Sequence, residues 1–209
     1  MIDFAHQVNA VARSVGSRTL EAGEARTVVV SQVFDAELGD VFDACSNPDR
    51  LPRWFLPVTG DLEVGGRYQL EGNAGGEVLR CEPPHGYLIT WEYGEEISWV
   101  ELALTEETTG QTTFTLTHIA RVDNDRWAQF GPGAVGVGWD LALTGLRTHL
   151  ETGESVDPVA AAAWSTSPEG QEFITGSSRR WADASIAFGT DPEGAQKAAA
   201  ATTAFYTGS

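Results

Sequence analysis

The chain has 209 residues, 42% of them hydrophobic and 10% aromatic, enough for one sizeable core and an appendage. Against 13 basic side chains stand 30 acidic ones, a formal charge of −17, so phosphate backbones and anionic bilayers are repelled and neither nucleic acid nor a membrane is expected as a partner. No apolar run reaches the roughly 18 residues that a bilayer span needs, Met1-Ile2-Asp3-Phe4 lacks the basic and apolar regions of a signal peptide, and Cys45 and Cys81 are expected as buried thiols of a cytoplasmic protein.

Phe4, Val8, Val11 and Val15 recur at helical spacing and Gly16 follows as a C-terminal cap, which predicts a docking helix with a polar connector over residues 1–26. Thr27–Phe34 is β-branched and predicts a strand. Leu38, Val41, Phe42 and Cys45 then predict a short helix. Asn47-Pro48 reads as the cap and first residue of a second one, ending near Trp54 and Phe55, two rings that need cover.

From Gly60 the period changes to two. Asp61–Val64, Arg67–Glu71, Glu77–Cys81, Tyr87–Tyr93, Ile97–Leu104 and Thr112–Ala120 alternate and are separated by glycine- and proline-containing turns, so a six-stranded antiparallel meander is predicted. Alternation puts Ile89, Trp91 and Tyr93 on one face with Val100, Leu102 and Leu104, and with Phe114, Leu116 and His118. Trp99 takes the opposite face.

Ala134–Leu150 reads as the long helix that closes this sheet. Val135, Trp139, Leu143, Leu146 and Leu150 form its apolar side, with Asp140, Thr144, Arg147 and Thr148 opposite. The glycines of Gly131–Gly138 lack the Gly-Lys-Ser/Thr ending of a phosphate loop and read either as a flexible portal or as a plain helix start. Residues 153–209 form a helical extension, with starts at Ser167-Pro168 and Asp191-Pro192 and an aromatic stripe through Phe173, Trp181 and Phe188.

A strand, two short helices, a meander and a long helix is the order of an α+β helix-grip fold, a curved antiparallel sheet around a long C-terminal helix with extra N- and C-terminal helices. Asn47-Pro48 with Arg53-Trp54-Phe55, Gly60-Asp61-Leu62 with Val64-Gly65-Gly66-Arg67, Gly76-Glu77-Val78-Leu79, Pro83-Pro84, Thr90-Trp91, Leu116-Thr117-His118 and Gly138-Trp139 resemble bacterial proteins similar to the C-terminal domain of the activator of heat shock protein 90 ATPase. These belong to the START-like, or SRPBCC, superfamily, shared with the birch-pollen-allergen-like proteins. The resemblance covers about residues 27–150, within a domain expected over residues 27–152, and implies a deep apolar cavity, but no single chemistry.

The candidate site is therefore the space between sheet and long helix. Trp54, Phe55, Trp91, Val100, Leu102, Phe114, Leu116, Trp139 and Leu143 are expected as walls, or as plain core. Tyr68 and His118 are candidate polar anchors, and His118 is equally a candidate general base or a core histidine satisfied by a neighbour. Binding of a small, largely apolar molecule without catalysis is the first expectation; an aromatase/cyclase-like or hydrolytic enzyme using His118 and a protein-interaction module that meets a chaperone are the alternatives. No cofactor is expected, and no metal, since His6, His85, His118 and His149 show no ligand spacing. The aromatic stripe leaves a homodimer open.

Overall fold

The computed structural model describes residues 4–21 and 23–208. Met1–Asp3 of the expected N-terminal segment, and the Phe4 ring of its apolar stripe, lie outside the described residues. The elements run α1 (Phe4–Ala10), β1 (Ala12–Leu20), β2 (Gly23–Phe34), α2 (Leu38–Ser46), a single 3-10 turn (Leu51–Arg53), β3 (Val58–Gly60), β4 (Arg67–Leu70), β5 (Gly75–Glu82), β6 (Gly86–Tyr93), β7 (Glu96–Thr108), β8 (Gln111–Arg121), α3 (Asn124–Phe130), α4 (Gly133–Thr152), α5 (Pro158–Ser165), α6 (Pro168–Ala187) and α7 (Pro192–Thr207). Eight strands form one sheet in the order β1-β2-β8-β7-β6-β5-β4-β3, the α+β helix-grip architecture expected from the sequence.

Two compact units divide the chain. One comprises residues 1–30, 121–144 and 157–209, and the other residues 31–120 and 145–156. We call them the helical unit and the sheet unit; β2 and α4 each contribute to both.

In the sheet unit, β3 to β8 are a continuous antiparallel meander, and turn chemistry sets its corners. Gly60 sits at a φ of +104° where a Cβ would overlap the Arg67 carbonyl, so only glycine fits that corner. Asp61–Val64, expected as a strand, is a turn instead: Asp61 Oδ1 accepts from the Glu63 N–H at 3.0 Å, and the paired residues lie earlier, with Val58 opposite Leu70. Asn47 likewise starts no α-helix. Its Oδ1 accepts from the Asp49 N–H at 2.9 Å and its amide donates to Asp43, which closes α2 and leaves only the 3-10 turn downstream.

In the helical unit the expected N-terminal helix stops at Ala10, and Ala12–Leu20 is a strand. The spacing of four between Val11 and Val15 misleads because an even interval satisfies a strand's period as well as a helix's. Gly16 does not cap a helix; a Cβ there would lie 2.8 Å from Thr27 Oγ1 on the neighbouring β2. The signals at the other end held: Ser167 and Asp191 accept from the N–H groups of Gly170 and Gly194 at 3.1 and 3.0 Å, each followed by proline at the first helical position. α7 ends at Gly208, which adopts the left-handed conformation.

Of the glycines read as a portal or a plain helix start, Gly133, Gly136 and Gly138 are helical, while Gly131 closes the preceding helix at a φ of +59°. Asp123 caps α3, an element absent from the sequence reading, and α4 is already under way at Gly133. Gly136 lies beneath the indole of Trp181, where any Cβ would collide with the ring. The helix is also rotated from the expected face: Val137, Asp140, Leu143, Leu146 and His149 are buried, while Val135, Trp139 and Leu150 are half-buried.

Candidate functional site

Register in the sheet unit assembles most of the expected residues. Ile89 pairs with Val100 and Val100 with His118; Trp91 pairs with Ser98; Leu102 pairs with Leu116 and Leu104 with Phe114. One face therefore carries Ile89, Trp91, Val100, Leu102, Leu104, Phe114, Leu116 and His118, as alternation predicted.

Burial along that face is uneven. On β7 and β8, Val100, Leu102, Leu104, Phe114, Leu116 and His118 are all within 5% exposure. On β6 the alternation disappears, and Ile89 and Trp91 stay half-buried although they share the apolar face. Both pack against the cluster of Tyr68, Leu70 and Val78, together with half-buried Phe55, Leu56 and Leu62. This end of the face is thus apolar and only half-buried.

Trp54 and Phe55 stack at 5.5 Å between centroids, and the Trp54 indole N–H donates to the Ala44 carbonyl at 2.8 Å, anchoring the 3-10 turn to α2. The backbone carbonyl of Trp54 sits against Gly145, so glycine lets that part of α4 approach. The Tyr68 hydroxyl donates to the Thr90 carbonyl at 2.6 Å, and burial pushes its ionisation above the ordinary range, which leaves it a neutral donor.

His118 lies 6.2 Å from the Trp91 ring and its Nε2 is 2.9 Å from Ser98 Oγ. Ser98 Oγ donates to the Trp91 carbonyl at 3.1 Å. A hydroxyl has one proton, so the hydrogen-bond pattern assigns Nε2 as the donor and Ser98 as its acceptor. That chain runs from ring to backbone and contains no hydroxyl aimed at a base.

Behind this face, on the outer side, a groove of about 560 Å³ is lined by Arg67, Gln69, Asn73, Glu92 and the glycines of β5. Arg67 bonds Glu92 at 2.6 Å and holds its carboxyl below the ordinary range. The groove is polar and spanned by an ion pair, unlike the apolar face.

Sequence reasoning missed His149. It is buried, accepts from Arg50 through Nε2 at 3.3 Å, and its Nδ1 donates to the Glu154 carbonyl at 3.0 Å. Arg50 also pairs with Asp40 and Asp43, at 2.6 and 3.0 Å, so one guanidinium ties α2 to the end of α4. Among the described residues no group of three or more His, Cys, Asp or Glu is placed to hold a metal ion.

Trp139 and Leu143 belong to the helical unit, half-buried and buried respectively. Asp140, expected on the exposed side of α4, is fully buried there. Its Oδ2 accepts from Arg13 Nε at 2.9 Å, Ser177 Oγ at 2.5 Å and Trp181 Nε1 at 3.0 Å. Burial pushes its carboxyl above the ordinary aspartate range, disfavouring the charged form, and the three donors oppose that only in part: Oδ1 has no partner.

The family profile described as "Activator of Hsp90 ATPase homolog 1-like protein" matches residues 35–151. The crystal structure of CalU16 from Micromonospora echinospora is 36% identical, over 84% of this chain and 98% of that one, with a TM-score of 0.66. The solution NMR structure of the same protein gives 37% identity over 85% and 96%, with a TM-score of 0.70. Protein MLL2253 from Mesorhizobium loti, 24% identical over 60% and 97% with a TM-score of 0.54, shares the fold. Curated proteins return no match. No helix among the described residues is long and apolar enough to cross a membrane.

Proposed function

The chain belongs to the Activator of Hsp90 ATPase homolog 1-like family, and from that premise we propose that it binds a small, largely apolar molecule on the β6 end of the inward sheet face, without transforming it. The supporting observation is the half-burial of Ile89 and Trp91 on a face whose members on β7 and β8, Val100, Leu102, Leu104, Phe114, Leu116 and His118, are sealed. Apolar area left accessible costs roughly 25 cal/mol per Å² relative to burial, so a ligand docking there recovers what folding left undone. Phe55, Leu56 and Leu62 extend the same surface. The proton chain from His118 through Ser98 to the Trp91 carbonyl favours carriage over catalysis, because it orients the imidazole without activating a nucleophile.

The test is titration with the neutral dye Nile red, followed by its fluorescence. Ile89→Trp fills the open end and should weaken binding by at least about tenfold, some 1.4 kcal/mol, with the circular dichroism spectrum unchanged. Equal affinity in the variant and the wild type contradicts the reading.

A further inference from the structure

The helical unit contains a second concavity, of about 320 Å³, enclosed by α3, the Gly131-Pro132-Gly133 entry to α4, α6 and α7, with Arg26 of β2 at its rim. Its volume lies at the low end of the roughly 300–1,000 Å³ typical of small-molecule pockets. The wall from α6 and α7 is built of alanines: Ala182, Ala195, Ala198 and Ala199, none more than 8% exposed.

Two polar groups on this lining have unused hydrogen-bonding capacity. Ser178 is 1% exposed and its Oγ has no partner, whereas the nearby hydroxyls of Ser185 and Thr190 bond each other at 2.8 Å. Arg26 stacks 4.4 Å from the Trp127 ring centre and gives Nη2 to Asn124 Oδ1 at 3.1 Å, but its buried Nη1 has no acceptor. In a chain with 30 acids and 13 bases, no carboxylate among the described residues pairs with this cation, and burial depresses its ionisation with no acid opposing. An unmet donor of this kind costs free energy that a bound acceptor returns.

We propose that this cleft binds a small amphipathic carboxylate, its acid group accepting from Arg26 Nη1 and Ser178 Oγ and its hydrocarbon lying on the alanine wall. A charge-assisted bond to the guanidinium supplies orientation. The alanines leave the width for a short aliphatic or aryl chain. The lining of this cleft shares no residue with the apolar sheet face, and the proposal does not rest on that face.

Isothermal titration of the full chain with octanoate, and in parallel with octanol, tests the proposal. Octanoate should bind the wild type, Arg26→Gln should weaken it at least about tenfold, and octanol should bind more weakly and be insensitive to Arg26→Gln. Ser178→Ala removes a hydroxyl that bonds nothing, so it should weaken octanoate while leaving the thermal midpoint unchanged or higher. Ala198→Leu should abolish binding by filling the cleft. Ile89→Trp should change none of these titrations. No heat with octanoate at millimolar concentration, equal affinity in Arg26→Gln, or a loss confined to Ile89→Trp overturns the inference, the last placing octanoate on the sheet face.

Discussion

At Asp140 the helical unit takes a carboxyl fully out of water and brings three donors to it, while on β6 the sheet unit leaves the apolar side chains of Ile89 and Trp91 only partly buried. Both arrangements look unfavourable by themselves. The first is met inside its own unit by three donors, Arg13, Ser177 and Trp181, all on Oδ2, and so reads as a device that fixes how α4 meets α6 and β1. The second is compensated only in part: Ile89 and Trp91 pack against Tyr68, Leu70 and Val78 yet stay half-buried, which suits a binding surface.

The largest effect should come from breaking the compensated centre. Asp140→Ala leaves Arg13 buried without its counter-ion and should cost about 3–5 kcal/mol in urea unfolding; a cost below about 1 kcal/mol would remove Asp140 as the organiser of the unit. Next, Gly136→Ala drives a methyl into the Trp181 ring and should cost about 1–3 kcal/mol, with an altered tryptophan emission spectrum. Trp91→Ala should cost less than the roughly 3–5 kcal/mol of a buried aromatic truncation, because the ring is only half-buried, yet it should impair Nile red binding.

Acidity sharpens the same contrast. The folded value of Asp140 is raised above its unfolded one, so its stabilising contribution is complete below the ordinary aspartate range and is lost as pH climbs through the folded value. The thermal midpoint of the wild type, relative to Asp140→Asn, should therefore fall as pH rises from about 4. Asp43 and Glu92, held low by Arg50 and Arg67, have the opposite sign: their contribution is present above the ordinary range and lost on acidification, and exposure keeps it small. The smallest effect is chemical. Burial pushes the Cys45 thiol up to about 12, whereas Cys81 is half-exposed, so iodoacetamide should label Cys81 first in the native protein and both cysteines in denaturant.

Local rules carried most of the fold. Strand alternation from Tyr87 to Ala120 and the Ser167-Pro168 and Asp191-Pro192 starts depend on neighbouring residues and are visible in any window that contains them. The errors arose where distant partners decide. Asp140 sits inward because Arg13, 127 positions away, and Ser177 and Trp181 meet it, and no helical period encodes that. β1 is a strand because β2 lies beside it, and Gly16 serves that pairing. Of the candidate site, the shared face of Val100, Leu102, Phe114, Leu116 and His118 was legible from alternation alone. The open end at Ile89 was not, since incomplete cover depends on which side chains fail to reach it. Trp139 and Leu143, grouped with these residues by hydrophobicity, fall in the other compact unit.

The most direct measurement is a heteronuclear NMR titration of the full chain with Nile red, following the Trp91 indole N–H and the Ile89 methyls. Binding at the sheet face predicts that these signals shift together and saturate with the dye's binding curve, while signals from the alanine wall of the helical unit stay in place. Saturable binding with the Trp91 and Ile89 signals unmoved would contradict it.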